Sequence, residues 1–174
     1  MDRYLTTLSP FLDDPARAYS MRELARLLRT SHTTLRNRLA RLISEGLIQR
    51  KKGRVTDEYR AIESRKFRNH KIFRTLEALR ESGLLERLER EYDLPIIIVY
   101  GSASQGTDDA RSDLDLALIT DIDKEPPEGE RILRRPVSIR HYTRKEWAAL
   151  RTKNRGLLTS ILNGITLTGQ APAP

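Results

Sequence analysis

The segment at residues 101–115 constrains the fold of this chain most, because it joins two short apolar runs. Residues 96–100 read Ile-Ile-Ile-Val-Tyr, and residues 116–119 read Leu-Ala-Leu-Ile. Short apolar runs bounded by turn residues predict buried strands. A Gly-Ser pair follows the first run, and an Asp-Leu-Asp triplet leads into the second after a spacer of ten residues. The pattern therefore predicts a strand, a polar loop and a second strand.

The carboxylates of Asp113 and Asp115 are expected on one side of the second strand. Side chains alternate faces along a strand, so residues two apart share a face, with Cα atoms ~6.5 Å apart. Two carboxylates at that spacing suit a divalent metal ion. The Gly101-Ser102 turn adds backbone N–H groups and a hydroxyl, which glycine-rich turns offer to phosphate.

This arrangement resembles the DNA polymerase-β-like nucleotidyltransferase superfamily, especially its minimal nucleotidyltransferases. Their signature is Gly-Ser, a spacer and then Asp-x-Asp, and the ten-residue spacer has the length seen in the minimal group. The flanks agree as well, because the first strand ends in Tyr-Gly-Ser, Gly106 lies in the loop, and Ser-Asp-x-Asp-Leu opens the next strand. The resemblance covers roughly residues 69–169.

The resemblance implies transfer of NMP from an NTP to an acceptor hydroxyl, with NTP as substrate. Asp113 and Asp115 would be the catalytic residues and would hold Mg²⁺ or Mn²⁺. Gly101, Ser102 and Ser112 would bind the phosphates of the nucleotide. The implied domain is small, with a mixed β-sheet flanked by helices.

The family usually carries a third carboxylate on a later strand, and this sequence departs from that pattern. The candidate strand, residues 137–142, offers Ser138, Arg140 and Tyr142 on its polar face, and none is acidic. Three explanations stay open. A loop carboxylate substitutes (Asp121, Asp123 or Glu125), His141 acts as the base, or the domain binds nucleotide with little or no catalysis.

Charge is distributed unevenly along the chain, whose net charge is +8. Residues 17–74 carry 17 Lys and Arg against 5 Asp and Glu, while the remainder is mildly acidic. A basic half joined to an acidic half predicts two functions, one of them directed at nucleic acid.

The basic half has the pattern of a helix-turn-helix followed by a hairpin. Ser20 and Glu23 form a capping-box pattern before the first helix, and Ser31 caps a second helix that ends at Gly46. Leu35, Leu39, Leu42 and Ile43 are its predicted buried stripe. Residues 47–56 predict two short strands around a basic turn at Lys52-Gly53.

This half resembles the winged helix-turn-helix domains of bacterial and archaeal transcription regulators, over about residues 20–59. In that family the second helix enters the major groove and the wing contacts neighbouring phosphates. The residues expected to contact nucleic acid, either RNA or duplex DNA, are Thr33, Thr34, Arg36, Asn37, Arg38, Arg41, Arg50, Lys51, Lys52 and Arg54.

The whole chain is therefore expected to be α+β. The predicted winged helix-turn-helix spans residues 1–62, connecting helices span 63–93, and the nucleotidyltransferase domain spans 94–170. The sequence has no cysteine. It also lacks a long apolar segment and a signal peptide, which predicts a cytoplasmic protein with no membrane partner. A homodimer is compatible with the sequence.

Three functions fit these patterns. The first is nucleotidyl transfer to RNA, such as a tRNA 3′ end, held by the winged helix. The second is a DNA-binding transcription regulator whose nucleotidyltransferase fold senses nucleotide or is inactive. The third is an antitoxin that nucleotidylates a partner toxin protein.

Overall fold

A computed structural model describes residues 3–54, 56–109, 111–132 and 134–170, with the side chains of residues 3 and 4 left out. Contacts between Cα atoms divide the chain into two compact units, Met1–His70 and Lys71–Pro174. Both units combine helices with a sheet, so the α+β class is confirmed. No helix in the described ranges is both long enough and apolar enough to cross a membrane.

The first unit combines helices with a three-stranded antiparallel sheet in the order β1-β3-β2. Its core is built from one face of each helix and the inner face of the sheet, and includes Phe11, Leu24, Leu35, Leu39 and Tyr59. The elements in chain order are α1 (Arg3–Asp13), β1 (Tyr19–Ser20), α2 (Met21–Leu27), α3 (His32–Ser44), β2 (Ile48–Lys51) and β3 (Glu58–Ala61).

The two helices predicted after Ser20 and Ser31 are present as α2 and α3, with two differences in detail. Ser31 caps α3 by accepting a hydrogen bond from the Thr34 N–H at 3.2 Å. Ser20 caps α2 in the same way, but the carboxylate of Glu23 pairs with Arg17 instead of completing the capping box. Ile43, predicted to be buried, is 37% exposed. The stripe on α3 is therefore narrower than predicted.

The returning strand of the hairpin lies further along the chain than predicted. It is β3, whose Glu58 pairs with Lys51, so the connection runs from Lys52 to Asp57. Burial fixes this register, because Tyr59 must face the core and a shift of one residue would turn it to solvent. Arg50 and Asp57 form an ion pair across the base of the hairpin.

The second unit holds a five-stranded mixed sheet in the order β6-β7-β5-β4-β8. β5 and β7 are parallel, and the other neighbouring strands are antiparallel. Its strands are β4 (Ile96–Tyr100), β5 (Leu114–Ile119), β6 (Arg131–Ile132), β7 (Arg135–Tyr142) and β8 (Ile165–Thr168). Its helices are α5 (Leu84–Glu91), α6 (Gly101–Gln105), α7 (Arg144–Lys153) and α8 (Arg155–Leu162). The predicted connecting helix is α4 (Arg65–Glu81), which begins in the first unit and ends in the second.

Each face of this sheet has its own apolar layer, which follows from the alternation of side chains along the strands. Ile97, Val99, Leu116 and Leu118 pack on one face against α5 and the end of α4. Ile98, Ala117 and Ile119 pack on the other face against α7 and α8. The predicted strands at residues 96–100, 116–119 and 137–142 are confirmed.

Candidate functional site

The Gly-Ser turn lies against the second acidic residue of the Asp-x-Asp motif. Tyr100, the last residue of β4, pairs with Asp115 on β5, so the chain reverses beside that carboxylate. Gly101 has φ 69°, and a β-carbon there would lie 3.0 Å from Oδ2 of Asp115. Only glycine combines this left-handed backbone with so close an approach. The structure thus brings together the two halves of the motif.

The two acidic residues differ in their surroundings. Asp113 immediately precedes β5 and is exposed, whereas Asp115 lies inside the strand and is half-buried. Burial raises the pKa of Asp115; the positive charge of Arg140 opposes that rise, and the negative charge of Asp113 adds to it. An acidic pair that includes a partly desolvated carboxylate gains from a cation placed beside it.

The loop between the two halves is ordered by its own hydrogen bonds. Oδ1 of Asp109 accepts from the Arg111 N–H at 2.8 Å and from the Ser112 N–H at 3.0 Å. The Ser112 hydroxyl donates to the same oxygen at 3.1 Å. These bonds lower the pKa of Asp109. Ser112, a predicted phosphate ligand, is therefore engaged within the loop.

The position next to Asp115 on the parallel strand is occupied by a serine. Ser138 on β7 pairs with Asp115 on β5, and Arg140 pairs with Ala117. Paired residues of neighbouring strands point to the same face, so Ser138 and Arg140 share the face of Asp115. No carboxylate from β7 reaches this face of the sheet.

The four proposed substitutes for the third acid have different environments. His141 pairs with Leu118, and its ring contacts Tyr92 and bonds the Thr120 carbonyl at 3.1 Å. It therefore lies on the face opposite Asp115, and the suggestion that His141 is the base is wrong. Asp121 accepts from the Arg144 N–H at 2.9 Å. Among the residues that the structure describes, no group of three or more His, Cys, Asp or Glu could hold a metal ion.

Two carboxylates still fit a magnesium ion that is shared with substrate phosphates. Mg²⁺ in such sites takes one or two protein carboxylates and completes its shell with phosphate oxygens and water. The close approach of Gly101 to Oδ2 of Asp115 leaves room for backbone but not for a side chain on that side. Asp113 and Asp115 are thus the residues that would hold the ion.

Tyr100 contributes an unpaired hydroxyl to the same face. The residue is 4% exposed, and its Oη has no hydrogen-bond partner within the described ranges. Burial raises the pKa of Tyr100 to about 12; Asp115 adds to the rise and Arg140 opposes it. A buried hydroxyl without a partner is uncommon, so it is a donor available to a bound oxygen.

A buried ionic cluster holds the loop between α6 and β5 in place. The sequence patterns did not predict this cluster. Asp108 of the loop pairs with Arg135 of β7 and lies 3.4 Å from Nζ of Lys71 on α4. Arg135 also donates to Thr75 at 3.2 Å. Lys71, Asp108 and Arg135 have side chains that are 6–8% exposed. The only sequence signal for this cluster is an acidic residue inside the motif spacer.

A surface pocket of about 590 Å³ opens beside Asp113. One wall is β7 at Val137, Ser138 and Ile139, and the other is the segment from Glu125 to Gly129. That segment is held at its start, where the Tyr92 hydroxyl donates to the Glu125 carbonyl at 2.8 Å. The pocket therefore places two further carboxylates, Glu125 and Glu128, around the space next to Asp113.

The predicted nucleic-acid contacts fall into two groups. Thr33, Arg36 and Asn37 are exposed on α3, and Lys51, Lys52 and Arg54 are exposed on the hairpin. Arg41 and Arg50 are already paired, with Glu45 at 3.0 Å and with Asp57 respectively. The hydroxyl of Thr34 accepts from Ser31 at 3.0 Å, and Arg38 is half-buried. The unpaired group is the better candidate for contact with phosphates.

Comparisons with protein-family models, curated proteins and solved structures give no match.

Proposed function

We propose that this protein is a metal-dependent nucleotidyltransferase that transfers NMP from an NTP to an acceptor hydroxyl. The observation that carries the proposal is the close approach of the Asp115 carboxylate to Gly101, which places a glycine turn beside an Asp-x-Asp pair. A glycine turn alone or an acidic pair alone would be common on protein surfaces. Their juxtaposition at the ends of two paired strands is far less common, and it favours a site for a metal ion and phosphate.

Different residues of the site have different roles in this reaction. Gly101 and Ser102 hold the terminal phosphates, and Asp113 and Asp115 hold Mg²⁺ or Mn²⁺. The ion would stabilise negative charge on the phosphate oxygens while the acceptor hydroxyl attacks the α-phosphorus and pyrophosphate leaves. The pocket beside Asp113 receives the acceptor, where Glu125 or Glu128 is available to accept its proton.

The first unit acts as a winged helix-turn-helix that holds the acceptor, an RNA such as a tRNA 3′ end. The support is the exposed, unpaired basic group on α3 and the hairpin. Such residues gain affinity from phosphate contacts and the release of counterions. A helix face with Thr33, Asn37 and Arg36 can also hydrogen-bond base edges.

A second candidate acceptor is a basic protein, as expected of an antitoxin that nucleotidylates its toxin. The support is the acidic lining of the acceptor pocket, because Glu125 and Glu128 attract a Lys or Arg that lies near the modified hydroxyl. The two acceptors predict different labelled products.

The test is incubation of the protein with each labelled NTP, Mg²⁺, total RNA and lysate protein. Label in RNA supports the first acceptor, and label in protein supports the second. The Asp113→Ala/Asp115→Ala variant should abolish both. If no NTP labels either fraction, the transferase proposal fails. Sequence-specific duplex binding without transfer would then favour a DNA-binding regulator.

A further inference from the structure

The site presents an arginine and a serine where a third carboxylate would complete a two-ion centre. Ser138 is the register partner of Asp115, and Arg140 lies two residues further along the same face of β7. Ser138 is neutral and Arg140 is positive. Beside the two acids of the motif, the sheet therefore places one fixed cation rather than another anion.

The charge balance limits how many divalent ions this face can hold. Two ions would bring four positive charges, against which this face of the sheet supplies only the two negative charges of Asp113 and Asp115. Glu125 and Glu128 lie across the pocket, on the segment between β5 and β6. Arg140, which the strand register places on the same face as Asp115, reduces that supply further. No cluster of three acidic or imidazole ligands exists in the residues described. One ion is compatible with this balance, whereas a second would face like-charge repulsion from the guanidinium.

Arg140 is also available for a ligand. Its side chain is exposed, and its charge acts on the neighbouring Asp115 carboxylate. Arginine binds phosphate through two parallel N–H donors, which a lysine cannot reproduce. The unpaired Tyr100 hydroxyl on the same face adds a further donor for a substrate oxygen.

We propose that this site binds a single divalent ion, and that Arg140 takes the place of a second ion by binding a phosphate group of the nucleotide. The inference rests on the proposed function, because it assumes that Asp113 and Asp115 hold the ion. Because Ser138 is not a carboxylate, a second ion has no ligand on β7. Ser138→Asp should restore that ligand.

Counting bound Mn²⁺ separates the possible outcomes. The protein is dialysed against Mn²⁺ and inorganic triphosphate, and the excess of Mn²⁺ per chain is measured. Electron paramagnetic resonance detects coupled ion pairs. One uncoupled ion per chain supports the proposal. Two ions overturn it while leaving the proposed function intact, and no bound ion overturns both.

Variants of the two β7 residues sharpen the test. Ser138→Asp combined with Arg140→Ala should bind two coupled ions, and one ion in this variant would count against the proposal.

Arg140→Gln alone should weaken triphosphate binding about tenfold or more, with Arg140→Lys recovering part of the loss. Lys153→Ala, which removes an exposed charge from the end of α7, is the matched control and should leave binding unchanged. Equal triphosphate affinity in the wild type and Arg140→Gln would rule out the role of Arg140.

Discussion

Gly101 approaches Asp115 so closely that a β-carbon on the glycine would lie 3.0 Å from Oδ2 of the carboxylate. Gly83 has nearly the same backbone angle, with φ 73° against 69°, but has no atom within 4 Å of its β-carbon position. The two glycines therefore share the cost of a left-handed backbone and differ in what a side chain would meet. Substitutions at the two glycines therefore distinguish the effect of backbone strain from the effect of a clash with Asp115.

Gly101→Ala should lower nucleotidyl transfer and weaken Mn²⁺ binding, because the new methyl group would push Oδ2 of Asp115 away by a few tenths of an ångström. Gly83→Ala should cost only the strain, about 1–2 kcal/mol in the free energy of unfolding, with transfer unchanged. Urea unfolding and Mn²⁺ titration measure the two effects. Equal loss of Mn²⁺ affinity in both variants would show that strain alone is responsible.

Asp108→Asn should destabilise the protein by about 3–5 kcal/mol, because it leaves Lys71 and Arg135 buried without a counter-charge. The matched control is Glu58→Gln, which breaks an exposed pair with Arg60 and should change stability by less than about 1 kcal/mol. Chemical denaturation of the three proteins gives the comparison. A loss below about 1 kcal/mol for Asp108→Asn would mean that the cluster carries little energy.

Asp115→Asn should make the protein more stable at neutral pH. Because the pKa of Asp115 is raised on folding, its contribution to stability is present below its ordinary pKa and is lost as pH rises through the folded value. The gain from the substitution should therefore shrink as the pH is lowered into the acid range. Unfolding curves between neutral and acid pH measure this dependence, with the exposed Asp123→Asn as control. A destabilised Asp115→Asn at neutral pH would contradict the assignment.

Arg36→Ala and Lys52→Ala should each weaken nucleic-acid binding. In each variant the fall of log affinity with log salt concentration should become less steep, with a slope smaller in magnitude by about 1. Both residues are exposed and unpaired among the described residues, so their loss leaves the fold intact. The control is Arg90→Ala, which removes an exposed charge from α5 in the second unit. Binding assays in a salt series give the slopes. An unchanged slope in both variants would exclude this surface.

Local sequence determined the elements and the motif of the second unit. Apolar runs bounded by turn residues located β4 and β5, because burial on both faces of a sheet requires continuous apolar sequence. The alternation of apolar and polar residues located β7, whose polar face carries Ser138 and Arg140. The spacing of Gly101, Asp113 and Asp115 selected the site, since local backbone geometry sets where those groups point. Capping residues located the starts of α2 and α3 for the same reason.

Tertiary structure alone decided what surrounds that motif. The pairing of β5 with β7 placed Ser138 next to Asp115 and turned His141 to the opposite face, because strand register depends on contacts between distant residues. Long-range packing also assembled Lys71, Asp108 and Arg135, which lie far apart in the chain and share no periodicity. The sequence by itself thus determined the acidic pair and its glycine turn. The fold determined that an arginine, and not a third acid, shares their face.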